Sequence, residues 1–460
     1  MSRPSSFVAE EPAQRPRSRL GGGRPPPSRH VRFIGPPQTS STESDYLSGR
    51  TSEPSEFLGR HTRYHDNVIG GDGVVEETVD ADWPMLVMTL QDQLKRALVI
   101  GGTGHLGGAV LDLLQREHQD VPLRALIRSD DKASRLRSRY PKVAAVIGDL
   151  GSLAVLEEES RSADIVVNCA PDITHDSGIG AVLGGLGGGG QREQGSRRGF
   201  YIHTSGAATF YDEPEGVRGE RVHDDVADMD EILGTDPSRT HVATDNLVRS
   251  AHPAVNVAIV SPPGIGGISP SAEHPAPLVT GVLHSTAGAF GSGFQIARGE
   301  NLSGWVHVLD LARAFGLLVD DALGALQRGG AAAAAPAGPA GSPLWGPRAY
   351  YFASGEEVAF RDLQGAIVPV LHGHGVIPSR EVRSVTHAEA ARTCLAGGTD
   401  YDPDAPLPPP DSWVNHLATW FGVNMRIRPS RLLALGWKPE KSTLEAWEEA
   451  FELYLGRLKE

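Results

Sequence analysis

The chain has 460 residues, 43 Lys and Arg against 57 Asp and Glu, a formal net charge of −14, and 39% hydrophobic residues beside 55 Gly and 34 Pro. The negative charge argues against nucleic acid as the main partner, and no run approaches the ~18 apolar residues that a membrane span needs. Two cysteines, Cys169 and Cys394, cannot make a disulfide framework and point to a reducing, cytoplasmic setting.

Residues 1–93 read as a disordered arm. The first 64 residues carry 10 Arg against 6 acidic residues, and residues 65–94 carry seven acidic residues with no Lys or Arg. Such a stretch holds too few apolar side chains to offset the entropy of ordering it. An Arg- and Ser-rich start also suits an organellar transit peptide, but Glu10 and Glu11 count against that.

From Ala97 the pattern changes. Apolar runs at Ala97–Ile100, Leu123–Ile127, Ala144–Ile147, Ile165–Cys169, Phe200–Thr204 and Val255–Val260 predict strands. Between them, Val110–Arg116, Lys132–Arg139, Ser152–Arg161, Gly178–Leu183 and Thr240–Ala251 predict helices. Such alternation predicts an α/β fold, a doubly wound parallel sheet of the Rossmann type with ligands at the carboxyl ends of its strands. The dinucleotide domain is expected over 94–300, with a flexible Gly-rich insertion at 184–199. Residues 301–460 are expected to supply the rest of the sheet and a smaller C-terminal α/β substrate lobe, with an Ala- and Pro-rich insertion at 329–343. Trp305–Leu311 is the segment expected to return to the sheet.

The first strand runs into Gly101-Gly102-Thr103-Gly104-His105-Leu106-Gly107. Glycines at 101, 104 and 107 permit a tight turn, close approach of backbone to a pyrophosphate, and close helix–strand packing. The backbone of this loop, with Thr103, His105 and Leu106, would face the phosphates at a helix N-terminus. At the end of the second strand, Arg128 stands where an NAD-selective site carries a carboxylate. A cation there suits a 2′-phosphate, which favours NADP(H) over NAD(H), although Asp130 and Asp131 lie close.

Taken together, these motifs resemble those of the extended and atypical short-chain dehydrogenase/reductases, the NAD-dependent epimerase/dehydratase and NmrA-like group, and a fungal subgroup in particular. The resemblance covers about 96–460 apart from the insertions. Ile100–Gly107 is similar to the family's Thr-Gly-x-x-Gly-x-x-Gly loop, with Ile100 in place of Thr. Gly148-Asp149-Leu150 is similar to its third-strand motif, which implies that Asp149 and Leu150 lie at the adenine. Asn168-Cys169-Ala170 stands at the end of the fourth strand beside the cofactor. Ile202-His203-Thr204-Ser205-Gly206 resembles the fifth strand, which implies an active-site role for Ser205 with Thr204 beside it. Ser261-Pro262-Pro263-Gly264 resembles the turn that closes over nicotinamide. Trp305–Ala312 and Leu435-Gly436-Trp437-Lys438-Pro439 resemble markers of the substrate region.

The departure is in the catalytic pair. No lysine occurs between Lys142 and Lys438, so the family's Tyr-x-x-x-Lys is absent. His241 falls at the Tyr position and Asp245 at the Lys position, one turn apart on a helix face. A histidine titrates near neutrality without a lysine's help, and a carboxylate one turn away supports its cationic form. The same pair also suits a decayed site whose polar residues only cap loops.

Three readings follow. The first is an NADP(H)-dependent oxidoreductase acting on a carbonyl or alcohol of a small metabolite, with Ser205, His241 and Asp245 catalytic. The second is a redox-sensing regulator that binds the dinucleotide without turnover. The third is a sugar-nucleotide epimerase or dehydratase, which the missing Tyr/Lys pair disfavours. Tyr211 reads as a loop aromatic, Cys169 as a packing residue, and His372 and His374 as surface histidines without the Cys or acidic neighbours of a metal site.

Overall fold

The computed structural model describes residues 95–170, 175–188, 198–328, 343–396, 404, 406–409 and 412–459. The arm expected at 1–93 and most of the insertions expected at 184–199 and 329–343 lie outside the described residues.

The chain alternates from its first described element: β1 (Ala97–Ile100), α1 (His105–Glu117), β2 (Leu123–Ile127), α2 (Asp130–Arg139), β3 (Ala144–Ile147), α3 (Leu153–Arg161), β4 (Ile165–Asn168), α4 (Asp176–Leu186) and β5 (Phe200–Thr204). After the short β6 (His223–Asp224) and α5 (Met229–Leu233) come α6 (Val242–Ser250), β7 (Asn256–Ser261), β8 (Gly264–Gly266), α7 (Leu278–Phe290), β9 (Gly293–Ile296), β10 (Leu302–His307) and α8 (Val308–Gln327). The rest is β11 (Tyr350–Phe352), β12 (Glu356–Ala359), α9 (Phe360–Gly373), β13 (Val382–Val385), α10 (His387–Ala396), α11 (Trp413–Trp420), β14 (Ile427–Arg428), α12 (Ser430–Ala434) and α13 (Thr443–Arg457).

Seven parallel strands form the main sheet in the order β3-β2-β1-β4-β5-β7-β11. Successive side chains point to opposite faces of a strand, and here both faces are apolar and covered. Val99, Val167, Ile202 and Val260 pack beneath α1 and α8, while Leu98, Val166, Tyr201 and Ile259 pack beneath α3, α4 and α6. Burial of one such side chain stabilises the fold by roughly 1.5–3 kcal/mol. A parallel sheet covered on both faces is therefore what the unbroken apolar runs demand.

The return to the sheet differs from expectation. Trp305 lies in β10, which pairs with β8 and β12 in a separate three-stranded sheet. Its ring is held by Trp420 and Trp447, with centroids at 5.4 and 5.0 Å, in the aromatic core of the lobe. That packing draws the strand into the lobe, and Tyr350–Phe352 supplies the seventh strand of the main sheet. No helix among the described residues is long and apolar enough to cross a membrane.

Candidate functional site at the carboxyl ends of the strands

Gly101 follows β1 with φ +81°, a left-handed conformation that glycine adopts without strain. A Cβ there would lie 2.9 Å from the Ala170 backbone nitrogen, so the exit of β4 packs directly on the turn. The Gly104 N–H donates to the Gly101 carbonyl at 2.8 Å, and a Cβ on Gly107 would overlap that same carbonyl. Gly104 is the N-cap of α1. It brings no capping side chain, and the first turn carries no acidic residue. The free N–H groups and the positive end of the helix dipole are thus left for an anion. This cradle, closed to any Cβ and electropositive, fits a pyrophosphate. His105 opens α1 with Nδ1 3.1 Å from the His274 carbonyl. Its buried Nε2 has no hydrogen-bond partner among the described residues. Burial drives its pKa down to about 4, so the ring is neutral.

Arg128 is exposed at the end of β2, and Ser129 caps α2. Asp149 is exposed after β3, where its Oδ1 accepts from the Gly151 N–H (3.0 Å) and Ser152 Oγ (2.9 Å), while Leu150 is buried. Asn168 ends β4: its Oδ1 accepts from the Ala170 N–H at 3.1 Å and its carbonyl accepts from Thr204 Oγ1 at 2.6 Å. One buried asparagine thereby fixes the exits of β4 and β5 together. Burial pushes the neighbouring Cys169 thiol up to about 12, which keeps it protonated at neutral pH.

Past β5, the Ser205 N–H donates to the Val260 carbonyl (2.8 Å) and the Ala207 N–H to the Pro262 carbonyl (2.9 Å). The buried Pro262-Pro263 turn thus clips onto the Ser205 segment. Ser205 Oγ donates to Asp245 Oδ2 at 2.9 Å, and Tyr350 Oη donates to the same oxygen at 3.1 Å. The two hydroxyls are 3.4 Å apart. Ser205 is 5% exposed and Asp245 4%. Burial, with the Asp245 charge, holds the Tyr350 phenol well above its usual range, so it acts as a donor. Tyr350 escaped the sequence reading because it stands 145 residues from Ser205, on the short seventh strand, with no spacing to announce it.

His241 and Asp245 part company. The helix begins at Val242, and His241 is its N-cap in a left-handed conformation, φ +73°. For a residue with a Cβ this costs roughly 1–2 kcal/mol. The imidazole is turned onto Gly206, where Nε2 fills the space a Cβ would need. Asp245 points inward to Ser205, and its backbone N–H donates to the His241 carbonyl at 2.9 Å. Two residues before His241, Arg239 donates from Nε to the Thr209 carbonyl (2.6 Å) and from its guanidinium to the Tyr211 carbonyl, and stacks on the Tyr211 ring. Tyr211 and Arg239 line a cavity of about 510 Å³ with Asp212, Glu213, His387 and Thr419. His372 lies in the last turn of α9 and accepts from Arg380, and His374 follows it, 2.8 Å from Glu452.

No protein-family profile matches the chain. It is 28% identical over 361 residues to a protein of Acremonium sp. named Oxidase ucsJ, covering 75% of this chain and 93% of that one. Among solved structures, it is similar to dTDP-glucose 4,6-dehydratase from Bacillus anthracis in complex with NAD: TM-score 0.50, 14% identity, 79% of this chain and 98% of that one. The dTDP-glucose 4,6-dehydratase DesIV from Streptomyces venezuelae, with NAD and TYD bound, gives TM-score 0.50 at 20% identity and the same coverage. UDP-glucuronic acid 4-epimerase from Bacillus cereus, with UDP-glucuronic acid and NAD, gives 0.50 at 12% identity over 79% and 99%. By its strand order and these likenesses, the chain has the fold of the extended short-chain dehydrogenase/reductases.

Proposed function

We propose that this chain is an NADP(H)-dependent oxidoreductase acting on a carbonyl or alcohol of a small metabolite. One observation carries the reading: an uncapped helix N-terminus on a Cβ-excluding glycine turn shares a row of strand ends with the Ser205–Asp245–Tyr350 cluster. The turn Gly101–Gly107 and the N–H groups of His105 and Leu106 would hold the pyrophosphate, and Arg128 the 2′-phosphate. Asp149 and Leu150 would flank adenine, and Ala170, Thr204, Pro262 and Pro263 would flank nicotinamide. When bound, the nicotinamide supplies or accepts a hydride. The protein's part is the proton. His241, against Gly206, would give one to the carbonyl oxygen as its imidazolium, or take one from the alcohol as its neutral ring. Ser205, its own proton held by Asp245, keeps acceptor capacity and would accept a hydrogen bond from an alcohol. Asp245 and Tyr350 would thus position Ser205 rather than meet the substrate. The polar cavity is lined by Tyr211, six residues past Ser205, and by Arg239, two before His241, and its hydrogen-bonding groups would suit a small polar substrate. The relative's name, an oxidase, fits the alcohol-oxidising direction.

The test is NADPH consumption across a carbonyl panel, with NADP⁺ reduction across alcohols. His241→Ala is expected to lower turnover by about 10²–10⁴-fold, the range for a lost general acid, with cofactor affinity nearly unchanged. Full activity in that variant would sink His241 as the donor. The burial of Ser205 favours a second reading, a redox-sensing regulator. Tight NADPH binding with no turnover on any substrate is the result that would decide for it.

A further inference from the structure

Between β8 and α7, residues 267–277 cross the glycine turn as a strap. Ser269 Oγ donates to the His105 carbonyl at 2.6 Å and Ser271 Oγ to the Thr103 carbonyl at 2.8 Å. Ser269 and Ser271 are both buried. The strap explains a glycine the dinucleotide turn does not need: a Cβ on Gly108 would lie 2.6 Å from Ser271 Cβ. Because the serines engage only carbonyl oxygens of the turn, accepting in return from N–H groups of the strap itself, the N–H groups at the start of α1 stay available to a pyrophosphate.

At the strap's far end the situation reverses. Glu273 binds Arg135 through both oxygens, at 2.5 and 3.1 Å, and lies 4.0 Å from Lys132 Nζ. Both cations stand on α2, the helix that opens two residues after Arg128. Burial lowers the pKa of the next strap residue, His274, and the charges of Lys132 and Arg128 add to that shift. A carboxylate of this chain is therefore seated among the basic residues that follow β2, the strand whose end faces the ribose 2′-position in a doubly wound dinucleotide site.

We propose that Glu273 sets the preference between NADP(H) and NAD(H), by occupying Arg135 and Lys132 as an internal anion that a 2′-phosphate must displace. The inference rests on the reading that a dinucleotide binds the glycine turn. A phosphomonoester carries about −1.5 to −2 charge against −1 for the carboxylate and has three acceptor oxygens, so it can win the cations. Competition makes it win by less. NAD(H), with only a hydroxyl at that position, has no such contest. Glu273 thus narrows a preference for NADP(H) that Arg128, Lys132 and Arg135 would otherwise make wide.

The experiment is calorimetric titration of the full chain with NADPH and with NADH, for wild type, Glu273→Gln and Arg135→Ala. Glu273→Gln is expected to tighten NADPH by up to about fivefold, the scale of one solvent-exposed charge pair, and to leave NADH nearly unchanged. Arg135→Ala is expected to weaken NADPH several-fold and leave NADH alone. Unchanged NADPH affinity in Glu273→Gln, or equal changes for both dinucleotides, overturns the proposal while leaving the cofactor reading intact. Failure of wild type to bind either dinucleotide overturns the cofactor reading and the proposal with it.

Discussion

Two side chains at the site have energetic consequences that can be measured apart from catalysis. His105 has its pKa lowered to about 4 by burial, against about 6.5 in an unfolded chain. Between those values the unfolded state binds more protons, so the native state loses stability as pH falls from about 6.5 to about 4. The loss approaches about 3 kcal/mol at the acid end. The stability difference between wild type and His105→Asn, from urea melts at pH 7 and pH 5, is expected to shift against wild type at the lower pH. A difference independent of pH would show that burial does not depress this histidine. Tyr350 is the complementary case, a donor to a buried carboxylate. Tyr350→Phe leaves Asp245 with one donor fewer in a dry site, a loss of roughly 1–3 kcal/mol that should appear as a lower denaturation midpoint at unchanged slope.

At the scale of elements, legibility followed burial. The first five strands stand where their apolar runs placed them, within a residue: β1, β2, β4 and β5 are largely buried on both faces, which leaves an unbroken apolar signal, and the edge strand β3 keeps an apolar run although only Val146 in it is buried. Gly101, Gly104 and Gly107 were legible for the same kind of reason: their spacing is itself the geometry of the turn. The seventh strand was not, since Tyr350–Phe352 has three residues and follows an insertion, whereas the longer run at Trp305 is divided between two cores, Trp305 in the lobe and Val306, Val308 and Leu311 beneath the main sheet. Nor could spacing reveal that His241 would cap its helix from a left-handed conformation and leave Asp245 to Ser205. Gly108 belongs to neither group, for its reason lies 163 residues away in Ser271. In an isolated helix, Gly→Ala gains about 1 kcal/mol. In α1 the added Cβ would sit 2.6 Å from Ser271 Cβ and 2.9 Å from its Cα, and overpacking of this kind costs typically 1–3 kcal/mol. Gly108→Ala is therefore expected to lower the melting temperature, and Ser271→Gly in the same chain to restore most of it. If Gly108→Ala stabilises the protein outright, the strap is not packed against α1 as described.

Over the whole molecule, one buried carboxylate ties the last strand of the main sheet to a helix near the end of the chain. Asp225 is fully buried, with Oδ2 accepting from the Phe352 N–H of β11 at 2.9 Å and Oδ1 from the Arg431 N–H of α12 at 3.0 Å. Arg431 is itself buried, its guanidinium over the Tyr351 ring and on the Pro343 carbonyl. One side chain thus ties the last strand of the main sheet to α12, whose Leu432 packs in the core beneath that sheet. Despite two N–H donors and the arginine, burial pushes the Asp225 carboxyl up to about 7. The sign is opposite to that of His105. A carboxyl whose folded pKa lies above its unfolded 3.8 favours the native state fully below pH 3.8, and that contribution is lost as pH rises through about 7. The span corresponds to about 4 kcal/mol. Asn cannot titrate, so the stability of wild type relative to Asp225→Asn is expected to be greatest near pH 4 and to decline steadily toward pH 7. Titrating groups that do not interact with Asp225 cancel in that difference. Denaturant melts of the two proteins at pH 4.5, 5.5 and 6.5 measure it, and a difference that grows with pH would mean that Asp225 is held as a carboxylate by Arg431 and its N–H donors, with the pair acting as a buried ion pair between β11 and α12.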